Sequence, residues 1–361
     1  DQNTWVHMNN PERATEKAKD LVRMAVARAG TLKPLDEKVI LVNQRALVIG
    51  GGIAGMNSAL NLGKQGFEVV LVEKEPALGG FALNLRHTLE GADVQAYLKK
   101  LIAEVEAHDK VEIVTGAKVS GFGGYKGNFK TTLALETDAE TREIDHGVII
   151  VATGATEYQP QEYLYPEDDR VVTQVEFTHM LEDQGADDLD TVVMIQCVGS
   201  RNDEMQECSR ICCQAAVKNA LLVKKASPDT QVFVLYRDMR TYGLMEDYLT
   251  EAREKGVIFI RFDADTPPVV EAASDGIHVK TKDHILLMDM EITADKLVLS
   301  AGIRAADTTE LSSIMKLNAN TEGYFIEAHV KLRPVDMPGE GIFLCVTAHG
   351  PKLISETISQ A

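Results

Sequence analysis

Four of the five cysteines lie in one short stretch, CVGSRNDEMQECSRICC, that begins at residue 197. Thiolates bind iron and zinc well, and a four-iron cluster needs four of them converging on one place. The spacing matches neither the usual ferredoxin run nor the C-x-x-C pairs of zinc sites, and the C-x-x-C of redox dithiols is also absent. A loop of this length can wrap a 4Fe–4S cluster, which we favour over a redox dithiol, a structural zinc ion or inert thiols. The candidate metal ligands are Cys197, Cys208, Cys212 and Cys213.

The elements on either side place this stretch at the edge of a sheet. Residues 192–196 form an apolar run that predicts a buried strand, and residues 214–225, rich in Ala, Leu and Val, predict a helix. In an α/β protein such a strand-to-helix turn lies at the carboxyl edge of the sheet, where ligands bind. Cys212 and Cys213 then fall near the start of the helix, whose dipole favours an anionic cluster. Cys345, on an apolar strand, is expected to be a buried core residue.

A second candidate site is the run GGGIAG at residues 50–55, which follows a predicted strand and opens a predicted helix. In this context G-x-G-x-x-G predicts a dinucleotide site. The first glycine permits the tight turn, the second lets a pyrophosphate approach the backbone, and the third lets the helix meet the strand. The next predicted strand, residues 68–72, ends in Glu73, where an acidic side chain holds the ribose hydroxyls of an adenosine.

Three segments resemble two-dinucleotide flavoproteins and indicate FAD over NAD. EKEPALGG, residues 73–80, resembles the segment that follows their second strand. VIIVATGA, residues 148–155, resembles their strand ending in Ala-Thr-Gly, and GIFLCVTA, residues 341–348, resembles their late flavin-contacting strand. In that last segment Val346-Thr347 stands where an Asp usually contacts the ribityl chain. The implied FAD-binding residues are Gly50, Gly52, Ile53, Ala54, Gly55, Glu73, Lys74, Gly79, Gly80, Phe81, Val119, Ala152, Thr153, Gly154, Gly302, Ile303, Thr347 and Ala348.

Strands and helices alternate again from residue 191 to residue 261, which predicts a second Rossmann-like domain. Its first turn has Gly199 alone in place of a glycine cradle, so the signal for NAD(P)H binding is poor. Further strands are predicted at residues 277–281, 285–290 and 297–300. The domain prediction is an N-terminal helical extension capped by Asn10 (residues 1–44), an FAD-binding domain (45–156 and 303–361) and a second, degenerate NAD(P)H-type domain that carries the cysteines (157–302).

Composition and charge narrow the function classes. The chain has 361 residues, 45% of them hydrophobic, which is enough for two or three domains with real cores. A formal net charge of -18 disfavours binding to nucleic acid, which needs basic surface. No apolar run approaches the roughly 18 residues of a membrane helix, and the first residues lack a signal-peptide pattern. We therefore expect a cytoplasmic protein without a transmembrane segment.

CVGSR followed by CSRICC, together with WVHMN at residues 5–9, closely resembles the A subunit of heterodisulfide reductases. The resemblance covers nearly the whole chain. It implies an α/β, thioredoxin-reductase-like fold with two Rossmann-like domains, bound FAD, and a 4Fe–4S cluster held by the four cysteines. It also implies that Lys218 approaches the flavin as a cofactor-binding and catalytic residue, whereas the sequence alone favours a lysine on the helix surface.

The chain departs from that family in two places. Methanogen members insert a ferredoxin-like domain after Gly80, whereas here a predicted helix and the strand at residues 111–114 follow directly. Asn3 stands where the family has a Cys shortly before the Trp. The compact form is more similar to the HdrA-like subunit of the complex that sulfur-oxidising microbes use in the cytoplasm.

The leading functional hypothesis is an oxidoreductase: an electron-transfer subunit that carries FAD and a 4Fe–4S cluster. The resemblance implies that it is a homodimer and exchanges electrons with iron–sulfur and disulfide-site subunits of a heterodisulfide reductase-like complex in sulfur oxidation. One alternative is a stand-alone NAD(P)H-dependent flavin disulfide reductase, which NADH or NADPH would reduce rapidly. Another is a structural subunit with a vestigial nucleotide site, which would take up no FAD.

Overall fold

The structure, a computed structural model, describes residues 3–35, 39–136 and 140–361. The chain divides into two compact units, residues 1–41 and residues 42–361. The α-helices are α1 (Pro11–Thr31), α2 (Ile53–Lys64), α3 (Val94–Glu106), α4 (Gln174–Gln184), α5 (Cys212–Ala226), α6 (Glu246–Glu254), α7 (Thr309–Met315) and α8 (Ile354–Gln360). The strands are β1 (Ala46–Ile49), β2 (Val69–Val72), β3 (Val111–Val114), β4 (Ala117–Tyr125), β5 (Asn128–Leu135), β6 (Thr141–His146), β7 (Val148–Val151), β8 (Ala155–Glu157), β9 (Val171–Thr173), β10 (Thr191–Val198), β11 (Gln231–Tyr236), β12 (Ile258–Arg261), β13 (Val269–Ala273), β14 (Gly276–Asp283), β15 (Met288–Ala294), β16 (Lys296–Ala301), β17 (Ile303–Ala305) and β18 (Ile342–Leu344).

The first unit contains α1, which begins as the sequence predicts. The side chain of Asn10 accepts a hydrogen bond from the backbone N–H of Arg13 (3.4 Å), and Pro11 occupies the first helical position. The Asn10 side chain thus pairs one of the free N–H groups of the first turn. Pro11 has no N–H that would need a partner there. Within this helix only Ala14 is buried.

The second unit contains a parallel sheet in the order β18-β7-β1-β2-β3. Every residue of β1 and β2 is buried, because elements pack on both faces of the sheet. Ala46 and Val48 pack against α2 and α3, whereas Leu47 and Ile49 pack towards the antiparallel sheet β4-β5-β6. This arrangement directs the carboxyl ends of β1, β2 and β7 to one edge.

A second parallel sheet has the order β12-β11-β10-β16-β9. One face of β10 packs against α4, α5 and α6, and the other packs against the antiparallel sheet β13-β14-β15. The sequence prediction of an α/β fold with two Rossmann-like sheets and helix at the N-terminus is confirmed. None of the helices in the described ranges is both long and apolar enough to cross a lipid bilayer.

The predicted boundaries differ from the structure most at the β14–β15 hairpin and around the cysteine loop. The strand expected at residues 285–290 begins only at Met288, because the Asp283 carboxylate accepts hydrogen bonds from the backbone N–H groups of Ile285 (2.7 Å) and Leu286 (3.0 Å) and closes a turn. The apolar run therefore lies exposed at the tip of the β14–β15 hairpin. The strand before the cysteines extends to the end of β10, and the following helix begins at Cys212, two positions earlier than predicted.

Candidate functional site

The turn between β1 and α2 has the geometry of a dinucleotide-binding loop. Gly50 has a φ of 112°, and a Cβ atom there would lie 2.3 Å from the carbonyl oxygen of Ala152, so only glycine fits. At Gly52, a Cβ atom would meet nothing within 4 Å, and the start of α2 has no side-chain cap. The first N–H groups of α2 and this open space fit the pyrophosphate of a dinucleotide.

The segment after β2 folds back onto this turn. Glu73 is 7% exposed, and its carboxylate accepts hydrogen bonds from the backbone N–H groups of Gly51 (2.6 Å) and Glu75 (2.9 Å). The N–H of Gly79 donates to the carbonyl of Gly51 (2.9 Å), and a short 3-10 helix that contains Phe81 follows. The structure thus brings the glycine run, Glu73 and the double glycine of the predicted FAD site together.

The segments that follow β7 and β18 lie at the same edge. The N–H of Ala152 donates to the last carbonyl of β1 (2.8 Å). Ala152 also packs with Ala54 and Val346 in a small apolar cluster, so residues 152–154 and 347–348 lie beside the turn.

Two predicted FAD residues have other surroundings. Val119 is a core side chain of the sheet, and the ammonium of Lys74 is exposed 3.9 Å from the Glu75 carboxylate. Neither position alone identifies a cofactor contact.

The cysteine loop leaves β10 through a sharp turn. Cys197 has a φ of 64°, and the loop then runs to the start of α5. Gly199 has a φ of 66°, and a Cβ atom there would lie 2.0 Å from the ring of Tyr158, so packing against that ring requires glycine. The Ser209 hydroxyl accepts a hydrogen bond from the N–H of Ile303 (3.0 Å). Ile303 and its neighbour Gly302, both predicted at the flavin, therefore contact the cysteine loop.

The structure brings the four thiols into one electrostatic group. All of the cysteines are free thiols, and those of the loop are at least partly buried. Burial, and then the neighbouring thiols of Cys213, Cys197 and Cys208, raise the pKa of the Cys212 thiol well above its ordinary value. Burial also raises the pKa of Cys213 to about 11. Without a bound metal, the inner thiols are therefore held protonated.

Arginine side chains surround this group. The Arg201 guanidinium lies 3.9 Å from the Cys197 sulfur and 2.7 Å from the Asp238 carboxylate. The Arg210 guanidinium bonds to the Glu356 carboxylate and the Tyr242 hydroxyl (both 2.8 Å), and its backbone N–H donates to the Cys208 sulfur (3.3 Å). These cations and the start of α5 favour negative charge at the loop.

The four thiols fit a cluster in number and chemistry. In the described ranges, no three His, Cys, Asp or Glu side chains lie close enough together to hold one metal ion. A four-iron cluster makes a different demand, because each of its iron atoms takes one thiolate and the ligands stand further apart.

One pocket joins the two regions. Phe81, which follows the double glycine, lines it together with Cys212 and Lys218. The Lys218 ammonium donates hydrogen bonds to the Thr178 hydroxyl (3.2 Å) and the His87 carbonyl (3.4 Å). Burial lowers the pKa of Lys218 to about 8, although the Glu182 carboxylate opposes this change. The residue that the sequence alone suggested to be a surface lysine is a pocket residue.

Comparisons with known proteins agree with this arrangement. A family model described as pyridine nucleotide-disulphide oxidoreductase matches residues 44–199. The A subunit of the H(2):CoB-CoM heterodisulfide,ferredoxin reductase of Methanothermobacter marburgensis is 33% identical over 455 residues, covering 100% of this chain and 69% of that protein. The iron-sulfur A subunit of the CoB–CoM heterodisulfide reductase of Methanocaldococcus jannaschii is 33% identical over 454 residues, covering 99% of this chain and 69% of that protein. The chain belongs to the heterodisulfide reductase A-subunit family.

Membership of this family confirms the resemblance that the cysteine and N-terminal motifs indicated. The chain is therefore an oxidoreductase. Its fold is that of thioredoxin reductases. The enzyme of T. acidophilum superposes with a TM-score of 0.59 at 15% identity, covering 88% of this chain and 95% of that one. The enzyme of Lactococcus lactis gives a TM-score of 0.60 at 18% identity, with the same coverage of 88% and 95%. These are two-Rossmann flavoproteins, and the fold implies FAD.

Sequence reasoning missed Glu157, an ionisable residue of the pocket. Glu157 ends β8, lines the pocket, and pairs across the short sheet with Ile303 of β17. Burial raises the pKa of Glu157 to about 7, against a hydrogen bond from Thr173. In the sequence it lies in a segment rich in acidic residues, so no local signal distinguishes it.

Proposed function

We propose that the chain is an electron-transfer flavoprotein subunit that binds FAD at the glycine turn and a 4Fe–4S cluster at the cysteine loop. The observation that carries the proposal is the shared pocket, which has Phe81 of the FAD segment on one side and Cys212 of the loop on another. FAD exchanges electrons in pairs or singly, which suits it to a one-electron partner. FAD at the glycine turn and a cluster at the cysteine loop would both border this pocket.

The proposed FAD contacts use groups that are already oriented. The N–H groups at the start of α2 bind the pyrophosphate, next to the open space at Gly52. The Glu73 carboxylate is fixed by two backbone hydrogen bonds at the edge where the ribose hydroxyls would lie. The double glycine after it leaves room for the chain to pass over the turn.

Lys218 is proposed to act through its charge. Its buried ammonium lines the pocket, where a positive charge stabilises the negative charge that arrives with electrons. More negative charge in the pocket raises the affinity of the amine for its proton, since opposite charges favour the charged form. At and above about pH 8, where the amine is partly neutral, electron arrival is therefore coupled to proton uptake by Lys218.

The four loop thiols are proposed to ligate the cluster. Coordination deprotonates thiols that burial otherwise holds protonated, so assembly of the cluster releases protons. The arginine side chains around the loop then offset the negative charge of the thiolates.

Anaerobic reconstitution with iron, sulfide and FAD tests the cluster. We expect four irons per chain and an EPR signal on reduction. Cys197→Ser and Cys212→Ser should lose that signal, whereas Cys345→Ser, which removes a buried thiol outside the loop, should keep it. Four intact cysteines that take up no iron would exclude the cluster.

The FAD site and the donor have separate tests. Gly50→Ala should abolish flavin absorption, because the added Cβ collides with the Ala152 carbonyl. Stopped-flow mixing with NADH or NADPH should leave the flavin oxidised, since the turn after β10 has Gly199 alone in place of a glycine cradle. Rapid bleaching would favour the disulfide reductase alternative.

Partners and setting belong to the same proposal. The relatives are named as subunits of heterodisulfide reductases, which supports exchange of electrons with iron–sulfur subunits of such a complex. The exposed apolar tip at residues 285–288 offers one surface for a partner protein. Five free thiols suit a reducing compartment such as the cytoplasm. A homodimer and a role in sulfur oxidation are further parts of the proposal.

A further inference from the structure

Two glutamines flank the cysteine loop. Gln196 directly precedes Cys197, and Gln214 directly follows Cys213. Gln196 is 2% exposed and Gln214 is 5% exposed. The amide nitrogen of each side chain is buried without a hydrogen-bond partner, and so is the amide oxygen of Gln196. Among the described side chains with such atoms, Gln196 is the one that has two of them.

A neighbouring amide shows what full satisfaction looks like. The Asn219 side chain, on the same helix as Gln214, donates to the backbone carbonyl (2.9 Å) and the side-chain oxygen (2.7 Å) of Gln174. It also accepts from the Thr178 hydroxyl (2.9 Å). Buried amides in native proteins are normally paired in this way, so the two unpaired ones beside the thiols indicate a missing partner.

The fold places Gln196 at the irregular end of β10, next to the first thiol. Val192 and Met194 face α5, whereas Val193 and Ile195 face the antiparallel sheet, so alternation puts Gln196 on the α5 side, at the start of a register shift that ends at Val198. The first turn of α5 begins at Cys212. Two residues beyond Gln196, Val198 pairs with Ala301, whose carbonyl lies 3.6 Å from the Cys212 sulfur. Gln196 therefore shares the face of β10 on which the first turn of α5, with its inner thiols, is packed.

We propose that the Gln196 and Gln214 amides donate hydrogen bonds to the sulfur atoms of the cluster and so raise its reduction potential. This inference rests on the proposed function, since it requires the cluster. The physical reason is that the reduced cluster carries one more negative charge than the oxidised one. Donors to its sulfurs stabilise the reduced form more, and their removal lowers the potential.

The experiment compares reconstituted wild-type protein with Gln196→Leu, Gln214→Leu and the double variant. Iron is counted in each, and the midpoint potential of the cluster is measured by EPR-monitored redox titration. We expect full iron content, a shift to more negative potential in each single variant, and a larger shift in the double variant.

A second readout uses the cluster-free protein. There Gln196→Leu should leave the melting temperature unchanged or raise it, because it removes unpaired polar atoms from a buried position. Asn219→Leu is the matched control and should lower the melting temperature, since it leaves the side-chain oxygen of Gln174 without its donor and removes one hydrogen bond of Thr178.

The outcomes separate this inference from the function beneath it. If the wild type binds no iron, the proposed function and the inference both fail. If the wild type binds iron and the glutamine variants keep both its iron content and its potential, the inference alone is overturned. Loss of iron from both Gln196→Leu and Gln214→Leu would also overturn the inference, because the amides would then be needed to hold the cluster and not to set its potential.

Discussion

Replacing Glu157 with glutamine should stabilise the cofactor-free protein at neutral pH and leave its stability unchanged at acid pH. Burial raises the pKa of this carboxyl from 4.5 to about 7. The folded chain therefore keeps a proton that the unfolded chain loses as the pH rises from 4.5 to about 7. Folded wild-type protein is thus less stable above this window than below it, by on the order of 3 kcal/mol at about 1.4 kcal/mol per pH unit.

The glutamine side chain does not titrate, so the stability of the variant should not fall over this pH range. Urea unfolding of wild type and Glu157→Gln between pH 4 and pH 8 measures the difference, with the cofactor-free form used for both. We expect equal midpoints near pH 4.5 and a gap that widens to its full value near pH 7. A gap that is the same at every pH would show that Glu157 is not buried as a neutral acid, and the reasoning would fail.

Three further predictions follow from single side chains. Lys218→Met should raise the stability of the cofactor-free protein at pH 7, because burial lowers the pKa of Lys218 to about 8. The difference in urea midpoint between the variant and the wild type should shrink as the pH rises from 8 towards 10.5. Gly199→Ala should cost roughly 1–3 kcal/mol of unfolding free energy, since its Cβ would meet the Tyr158 ring, and a constant urea midpoint would contradict the close packing. His146→Gln should reduce the loss of stability on acidification. Burial lowers the pKa of His146 to about 4, so between pH 6.5 and pH 4 the unfolded chain binds a proton that the folded chain does not. Thermal melts of both proteins at pH 4 and pH 7 check this.

The first Rossmann sheet was predictable because its chemistry is local. Four consecutive apolar residues, a glycine that alone accepts a φ of 112°, and an acid at the end of the next strand each follow from neighbouring backbone geometry. The same holds for the thiols, which lie within one strand-to-helix turn. Hydrophobic periodicity and residue spacing are sufficient to predict a site when its residues are close in sequence.

The pocket was less predictable because distant segments build it. Lys218 follows a buried residue and precedes another, and only the packing of α4 and the His87 carbonyl decides that its ammonium is enclosed. Glu157 is buried by the return of the chain at β17, which lies far from it in sequence. Gln196 and Gln214 looked like ordinary ends of predicted elements, and their unpaired atoms depend on tertiary packing.

The strand-to-helix turns after β1 and after β10 differ in the space that they leave open. After β1, the helix start is uncapped and faces an opening at Gly52, as a phosphate group requires. After β10, the Tyr158 ring fills the space at Gly199, and Ser209 packs onto the backbone next to Ile303. The start of α5 is also without a side-chain cap, but it presents the Cys212 and Cys213 thiols beside its first N–H groups. The second turn therefore lacks the opening that the first turn offers to a pyrophosphate, which supports the proposal that the electron carrier there is one held by the loop thiols.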